Sequence, residues 1–226
     1  MVNMHPYNTV KTRIDTLAHR CGRNPQDIKL VAVSKSCSVD DIQAAYDAGC
    51  RDFGESRIQE ALEKQPHLPI DIHWHLIGTL QKNKVNKAVE SFGLIHSVDS
   101  VVLAQKTSEE SQRRGVTTSI LLQVNVSGEV SKHGLSPSEW REALERVNSL
   151  PFLEVRGLMT MAPFVEDEEI VRSCFHQLFQ LRDEFKQRVV QPALFTELSM
   201  GMSHDYPIAI EEGATILRIG TAIFAQ

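Results

Sequence analysis

No C-x-x-C pair, no excess of basic charge and no apolar segment near bilayer length occur in these 226 residues, and each absence removes a class of function. The four cysteines, Cys21, Cys37, Cys50 and Cys174, stand far apart. Neither a disulfide framework nor a cysteine zinc site is indicated, and reduced thiols in a reducing compartment fit best. A net charge of −5 gives no broad electrostatic reason to bind nucleic acid or an anionic membrane. No run approaches the roughly 20 apolar residues that span a bilayer, and Met1 to Tyr7 carry no basic stretch followed by an apolar core. A cytoplasmic location and no membrane partner are expected.

What is present is alternation. Eight β-rich runs recur at Leu30–Ser34, Asp52–Gly54, His73–Ile77, Leu94–Val98, Ile120–Val126, Glu154–Met161, Glu197–Met200 and Thr215–Phe224. Helical periodicity fills the gaps, at Val39–Ala48, Ile58–Lys64, Lys82–Val89, Val101–Arg114, Pro137–Asn148, Glu168–Val189 and Pro207–Glu212. Ser38 and Ser136 stand as N-caps, Pro137 suits a first helical position, and Gly49, Gly115 and Gly213 suit helix ends. The strands lack polar alternation, as parallel strands covered on both faces do. Residues 1–226 therefore read as one α/β domain, a (β/α)8 TIM barrel. No helix is expected after the last strand; Thr9–Arg20, apolar or small at Val10, Ile14, Leu17 and Ala18, is an added N-terminal helix suited to cover that gap. The competing open sheet needs a glycine-rich phosphate fingerprint after strand one, and Val-Ser-Lys-Ser-Cys-Ser is not one.

In a barrel, function gathers at the C-terminal ends of the strands. Those ends carry Lys35, Glu55-Ser56, His75 with Gly78, Asp99, Asn125, Met159-Thr160, Ser199-Met200-Gly201-Met202-Ser203 and Arg218-Ile219-Gly220-Thr221. Strands seven and eight commonly hold a phosphate on backbone N–H groups, and their two glycine turns fit, with Ser199 or Ser203 able to donate a hydroxyl. A lysine closing a buried strand can act as a nucleophile. Together they suit pyridoxal 5′-phosphate, its aldehyde held by Lys35 as a reversible Schiff base and its phosphate on strands seven and eight. Arg218 would then face the pyridine nitrogen. An arginine cannot accept a proton there, which favours an unprotonated ring and disfavours transamination.

Ala-Val-Ser-Lys at 32–35, Phe-Gly-Glu-Ser at 53–56, Trp-His-Leu-Ile-Gly-Thr-Leu-Gln-Lys-Asn-Lys at 74–84, Arg-Gly-Leu-Met-Thr-Met at 156–161, Leu-Ser-Met-Gly-Met-Ser at 198–203 and Arg-Ile-Gly-Thr-Ala-Ile-Phe at 218–224 resemble the pyridoxal phosphate homeostasis protein family over essentially the whole chain. The resemblance implies a fold like the N-terminal domain of alanine racemase, with the cofactor on Lys35. It implies phosphate contacts from Ser199, Met200, Gly201, Ser203, Gly220 and Thr221, Arg218 near the pyridine nitrogen, and Ser56, His75 and Met159 on the cofactor side. It also implies vitamin B6 homeostasis, with apo-enzymes as recipients of the cofactor, no established reaction and no catalytic residue. The chain departs from the family pattern at Ser56, where asparagine is usual, at His204-Asp205-Tyr206-Pro207, and at Ala225, where glycine is usual. A monomer is expected.

Two rival readings use other residues. A racemase-like pyridoxal-phosphate enzyme needs a second acid/base opposite the lysine, and Tyr206 is the tyrosine nearest the rim. A metal-dependent barrel hydrolase would use His73 and His75 on one strand face, with His96, Asp99 and His204. A packed, hydrogen-bonded histidine pair accounts for these better, so no metal is expected.

Overall fold

The apolar β segments cannot leave either face in water, and closing them into a ring inside a shell of helices removes both exposed faces and both edges. A computed structural model describes residues 5–129 and 132–224. Eight parallel strands form a closed barrel in the order β1 to β8. They are β1 (Lys29–Val33), β2 (Asp52–Glu55), β3 (His73–Leu76), β4 (Leu94–Val98), β5 (Thr118–Gln123), β6 (Leu153–Met159), β7 (Glu197–Ser199) and β8 (Ile216–Ile219). The ring closes where β8 pairs with β1, Arg218 opposite Val31. The helices are α1 (Pro6–Arg20), α2 (Val39–Asp47), α3 (Ile58–Lys64), α4 (Val85–Ser91), α5 (Val101–Arg114), α6 (Pro137–Asn148), α7 (Glu168–Lys186), α8 (Tyr206–Glu211) and α9 (Thr221–Phe224).

Local chemistry sets the boundaries. Ser38 and Ser136 each close a capping box, with Asp41 and Glu139 at the third helical position returning the bond to the cap N–H. Gly115 ends α5 in the left-handed conformation. One expectation is corrected: the last strand does not run to Phe224. It stops at Ile219, and the Gly220 carbonyl accepts hydrogen bonds from the N–H groups of Ile223 and Phe224, which winds α9. The expected gap after strand eight therefore holds a short helix, and α1 packs against both α8 and α9. Lys82–Lys84 form a 3-10 turn ahead of α4 instead of its first helical turn. Ala225, named above as a departure, lies outside the described residues.

Two apolar layers make the core. The larger lies between strands and helices, with Phe53, Trp140, Phe175, Phe185 and Phe195 fully buried. The smaller fills the barrel itself with Val31, Leu94, Leu121, Met159 and Ile216. Because successive strand residues point to opposite faces, the parity that places Val31 and Ile216 inside also sends Asp52, His75, His96, Ser199 and Arg218 inward. Among the described residues no helix is long and apolar enough to cross a membrane.

Candidate functional site

At the C-terminal ends of β1, β2, β7 and β8 a cavity of about 500 Å3 opens to solvent. Lys35, Ser56, Ser203, Arg218, Gly220 and Thr221 line it, and Val33, Ile77, Met161 and Phe224 supply apolar wall. Lys35 is exposed and stands just past β1 rather than within it. Among the described residues its Nζ makes no hydrogen bond or ion pair, so the amine has no carboxylate to occupy it. Cys37 shares the cavity, and burial pushes its thiol up to about 11, which leaves it protonated and unreactive at neutral pH.

A buried cluster braces the lysine turn. Glu55 is fully buried, and its Oε1 accepts from Ser34 Oγ at 2.8 Å and from Lys64 Nζ at 3.0 Å. Lys64 Nζ, on α3, also donates to the Ser34 carbonyl at 2.9 Å and to Glu60 Oε1 at 2.8 Å. Glu60 Oε1 in turn accepts from the N–H of Ser36, which sits at φ 62°, a left-handed conformation uncommon for a residue with a side chain. Residues on both sides of Lys35 are thus tied to α3. Burial pushes the Glu55 carboxyl up against the pull of Lys64 and Ser34, while Glu60 and Glu55 hold Lys64 charged although burial opposes it. Neither Glu60 nor Lys64 was legible from sequence, because both read as an ordinary helix face.

Arg218 lies across the cavity, buried to 5% exposure. Its Nη1 donates to Ser199 Oγ at 2.6 Å and its Nη2 to the Thr160 carbonyl at 2.8 Å. Burial lowers it to about 10, against the opposing charge of Asp205, so the guanidinium remains protonated at neutral pH. Two recorded bonds leave further N–H donors for a ligand. Beside it the β7 turn passes Gly201 at φ 93°, where a Cβ would lie 2.6 Å from the Cβ of Ala209. Only glycine fits there. Across the cavity a Cβ on Gly78 would lie 2.1 Å from the Ser56 carbonyl oxygen, so a bare glycine lets the β3 loop press Ser56 into place.

The expected residues therefore divide. Lys35, Ser56, Ser203, Arg218, Gly220 and Thr221 converge on one cavity. His75, Met159, Ser199, Met200 and Gly201 are not on its wall. Met159 packs among the apolar residues inside the barrel, Met200 packs in the helix-side core, and Gly201 is buried beneath its turn. Ser199 is wholly buried with its hydroxyl between Arg218 Nη1 and His96 Nδ1, the latter at 2.8 Å. His75 lies deeper, its Nδ1 2.9 Å from His96 Nε2 and its Nε2 2.9 Å from Asp52 Oδ1. Strand parity gave the right face for these residues, whereas depth along the barrel axis has no signature in parity.

Of the remaining rim residues, Asn125 holds its own loop, its Nδ2 donating to the Glu129 carbonyl and its Oδ1 accepting from the Gly128 N–H. No tyrosine lines the cavity among the described residues, and Tyr206 packs against the core. His73 and His75 do not pair around a vacant centre, and no three candidate metal ligands cluster among the described residues. A larger cavity, about 570 Å3, opens at the opposite mouth. Its charges, from Lys29, Asp52, Glu90, Arg156 and Glu197, are of both signs, and it contains neither the unpartnered lysine nor the buried arginine. Catalytic and binding chemistry in barrels also collects at the other end.

Comparison with known proteins agrees with this geometry. The family model described as alanine racemase, N-terminal domain, matches residues 7–226. A pyridoxal phosphate homeostasis protein of Aquifex aeolicus is 42% identical over 218 residues, covering 96% of this chain and 95% of that protein. The chain belongs to the pyridoxal phosphate homeostasis protein family. Its human relative is 43% identical over 220 residues, covering 90% of this chain and 80% of the relative. PipY of Synechococcus elongatus, solved with PLP bound, superposes with a TM-score of 0.83 at 40% identity, over 94% of this chain and 99% of PipY. Alanine racemase of Clostridium difficile, 15% identical with a TM-score of 0.79, shares the fold over 100% of this chain and 60% of its own length.

Proposed function

We propose that this family member binds pyridoxal 5′-phosphate through Lys35 and serves as a holder of the cofactor in vitamin B6 homeostasis, passing it to apo-enzymes. One observation carries the reading: an unpartnered lysine and a buried, still-charged arginine face one cavity with a glycine turn between their strands. The residues fit the group. Apolar Val33, Ile77 and Met161 suit a flat ring, Ser203, Gly220 and Thr221 suit a phosphate, and the first N–H groups of α9 are spare because its own bonds begin at Ile223. When bound, the cofactor supplies an aldehyde carbon that an amine can attack, forming a carbon–nitrogen double bond with loss of water. Arg218, unable to accept a proton, would disfavour protonation of a ring nitrogen lying against it, and the braced turn keeps the Lys35 amine at the cavity.

This arrangement suits retention better than turnover. A two-base racemase needs an acid/base opposite the lysine, and no tyrosine stands there among the described residues. Purified protein incubated with the cofactor should gain an absorbance band that Lys35→Ala abolishes, and should hand the cofactor to an apo-enzyme in the presence of a trap for free cofactor. A band that survives in Lys35→Ala defeats the assignment of Lys35. Efficient racemisation or transamination would defeat the holder reading.

A further inference from the structure

An unbroken chain of hydrogen bonds runs through the barrel from one mouth to the other. Asp52 Oδ1 to His75 Nε2 is 2.9 Å, His75 Nδ1 to His96 Nε2 is 2.9 Å, His96 Nδ1 to Ser199 Oγ is 2.8 Å, and Ser199 Oγ to Arg218 Nη1 is 2.6 Å. His75, His96, Ser199 and Arg218 are all buried, at 5% exposure or less. Asp52 stands at the N-terminal mouth and Arg218 in the C-terminal cavity.

With both imidazoles neutral, as their burial favours, the two ends fix the direction of every bond between them. Arginine has donors only, so Ser199 Oγ accepts from Arg218, and its own hydrogen is available to His96 Nδ1. An ionised aspartate accepts only, so His75 donates from Nε2. A neutral His75 then accepts at Nδ1, and His96 donates from Nε2. Two neutral imidazoles with the hydrogen on Nε2 thus satisfy all four contacts at once. Protonating His75 would set its Nδ1–H against the Nε2–H of His96 unless His96 changed tautomer, and protonating His96 would turn the Ser199 hydroxyl from donor to acceptor. Burial lowers both histidines in keeping with this, His96 well below the ordinary imidazole range. Asp52 is lowered too, burial being outweighed by His75, Lys29 and His73.

We propose that Asp52, acting through His75, His96 and Ser199, is a positioning residue for Arg218, so that charge at one mouth of the barrel sets the orientation and field of the guanidinium at the other. The charged and titratable groups facing this chain are Lys29, His73, Tyr7 and Cys50 beside Asp52, Glu90, Arg156 and Glu197 at the same mouth, and Asp205 near Arg218. The effect on a bound cofactor rests on the reading above; the effect on Arg218 does not.

Side-chain nitrogen NMR on the cofactor-free protein tests the relay directly. In wild type both His75 and His96 should show neutral Nε2–H tautomers at pH 7. Asp52→Asn, which removes the charge and admits an amide donor, should change those tautomers and move the Arg218 guanidinium resonance. Glu197→Gln, at the same mouth but off the relay, should move neither. In cofactor-loaded protein Asp52→Asn should lower the pH midpoint of the absorbance band by about half a unit, because a negative charge coupled to the site is lost. A His96 imidazolium or Nδ1–H tautomer in wild type would overturn the proposal, as would an Asp52→Asn variant indistinguishable from Glu197→Gln. If Asp52→Asn does not fold, the wild-type tautomers and Ser199→Ala decide: the latter should release the Arg218 resonance, and an unmoved resonance counts against the relay. If wild type forms no band, the cofactor reading fails while the tautomers and the Arg218 resonance still judge the relay.

Discussion

Replacing Lys64 by methionine removes the cation at the centre of the cluster that braces Lys35. The stem of methionine fills similar space, so the loss is electrostatic. Lys64 Nζ serves Glu55, Glu60 and the Ser34 carbonyl, and its side chain is only 10% exposed. An exposed pair would contribute about 1 kcal/mol or less. Removing one member of a buried pair leaves the other uncompensated and costs about 3–5 kcal/mol. Here the orphan is Glu55, fully buried and with Oε2 already lacking a partner. The sign of the pH dependence follows. A carboxyl whose folded pKa is raised destabilises the fold as pH rises through that value, because the unfolded chain releases its proton more readily. Burial already raises Glu55, and without Lys64 it rises further. The cost of Lys64→Met should therefore be larger at pH 8 than at pH 5, read by urea unfolding at both. Adding Glu55→Gln should recover most of it, since a neutral pair no longer carries a buried charge. A loss under about 1 kcal/mol at both pH values, or no recovery in the double variant, would refute the role given to this cluster.

Two further outcomes follow from buried groups. His75 and His96 are held neutral in the fold, so their folded values lie below the unfolded one and stability present above about pH 6.5 is lost as pH falls below it, each contributing a slope of about 1.4 kcal/mol per pH unit. Urea midpoints between pH 7.5 and 5 should decline accordingly, ahead of carboxylate effects that set in nearer pH 4; a flat profile contradicts neutral burial. Gly78→Ala should cost more than about 3 kcal/mol or prevent folding, because the new carbon meets backbone at Ser56 rather than a movable side chain. Thermal unfolding within a few degrees of wild type would show that the two loops can part freely.

The barrel was legible in the sequence because its signals are local. The bounds of α3, α5 and α6 and the capping boxes at Ser38 and Ser136 follow from spacing within a few residues. The last strand ends earlier than the sequence suggests because Thr215–Phe224 is mostly apolar on both sides of Gly220, and apolar character alone does not separate a strand from a short buried helix. The cavity's principal residues, Lys35 and Arg218, followed from the rule that strand ends form the site. The support beneath them did not. Lys64 is buried with its ammonium on Glu55, Glu60 and the Ser34 carbonyl, and His96 meets Ser199 across the barrel from a position 103 residues earlier. Neither relation has a spacing that a single sequence displays.

The most direct test of the central claim is to load the protein with pyridoxal 5′-phosphate, reduce it with borohydride to fix the carbon–nitrogen bond, and map the modified peptide by mass spectrometry. The modification is expected on Lys35 and in one-to-one proportion. Modification centred on Lys82, Lys84 or another surface lysine, with Lys35 unlabelled, would contradict the account.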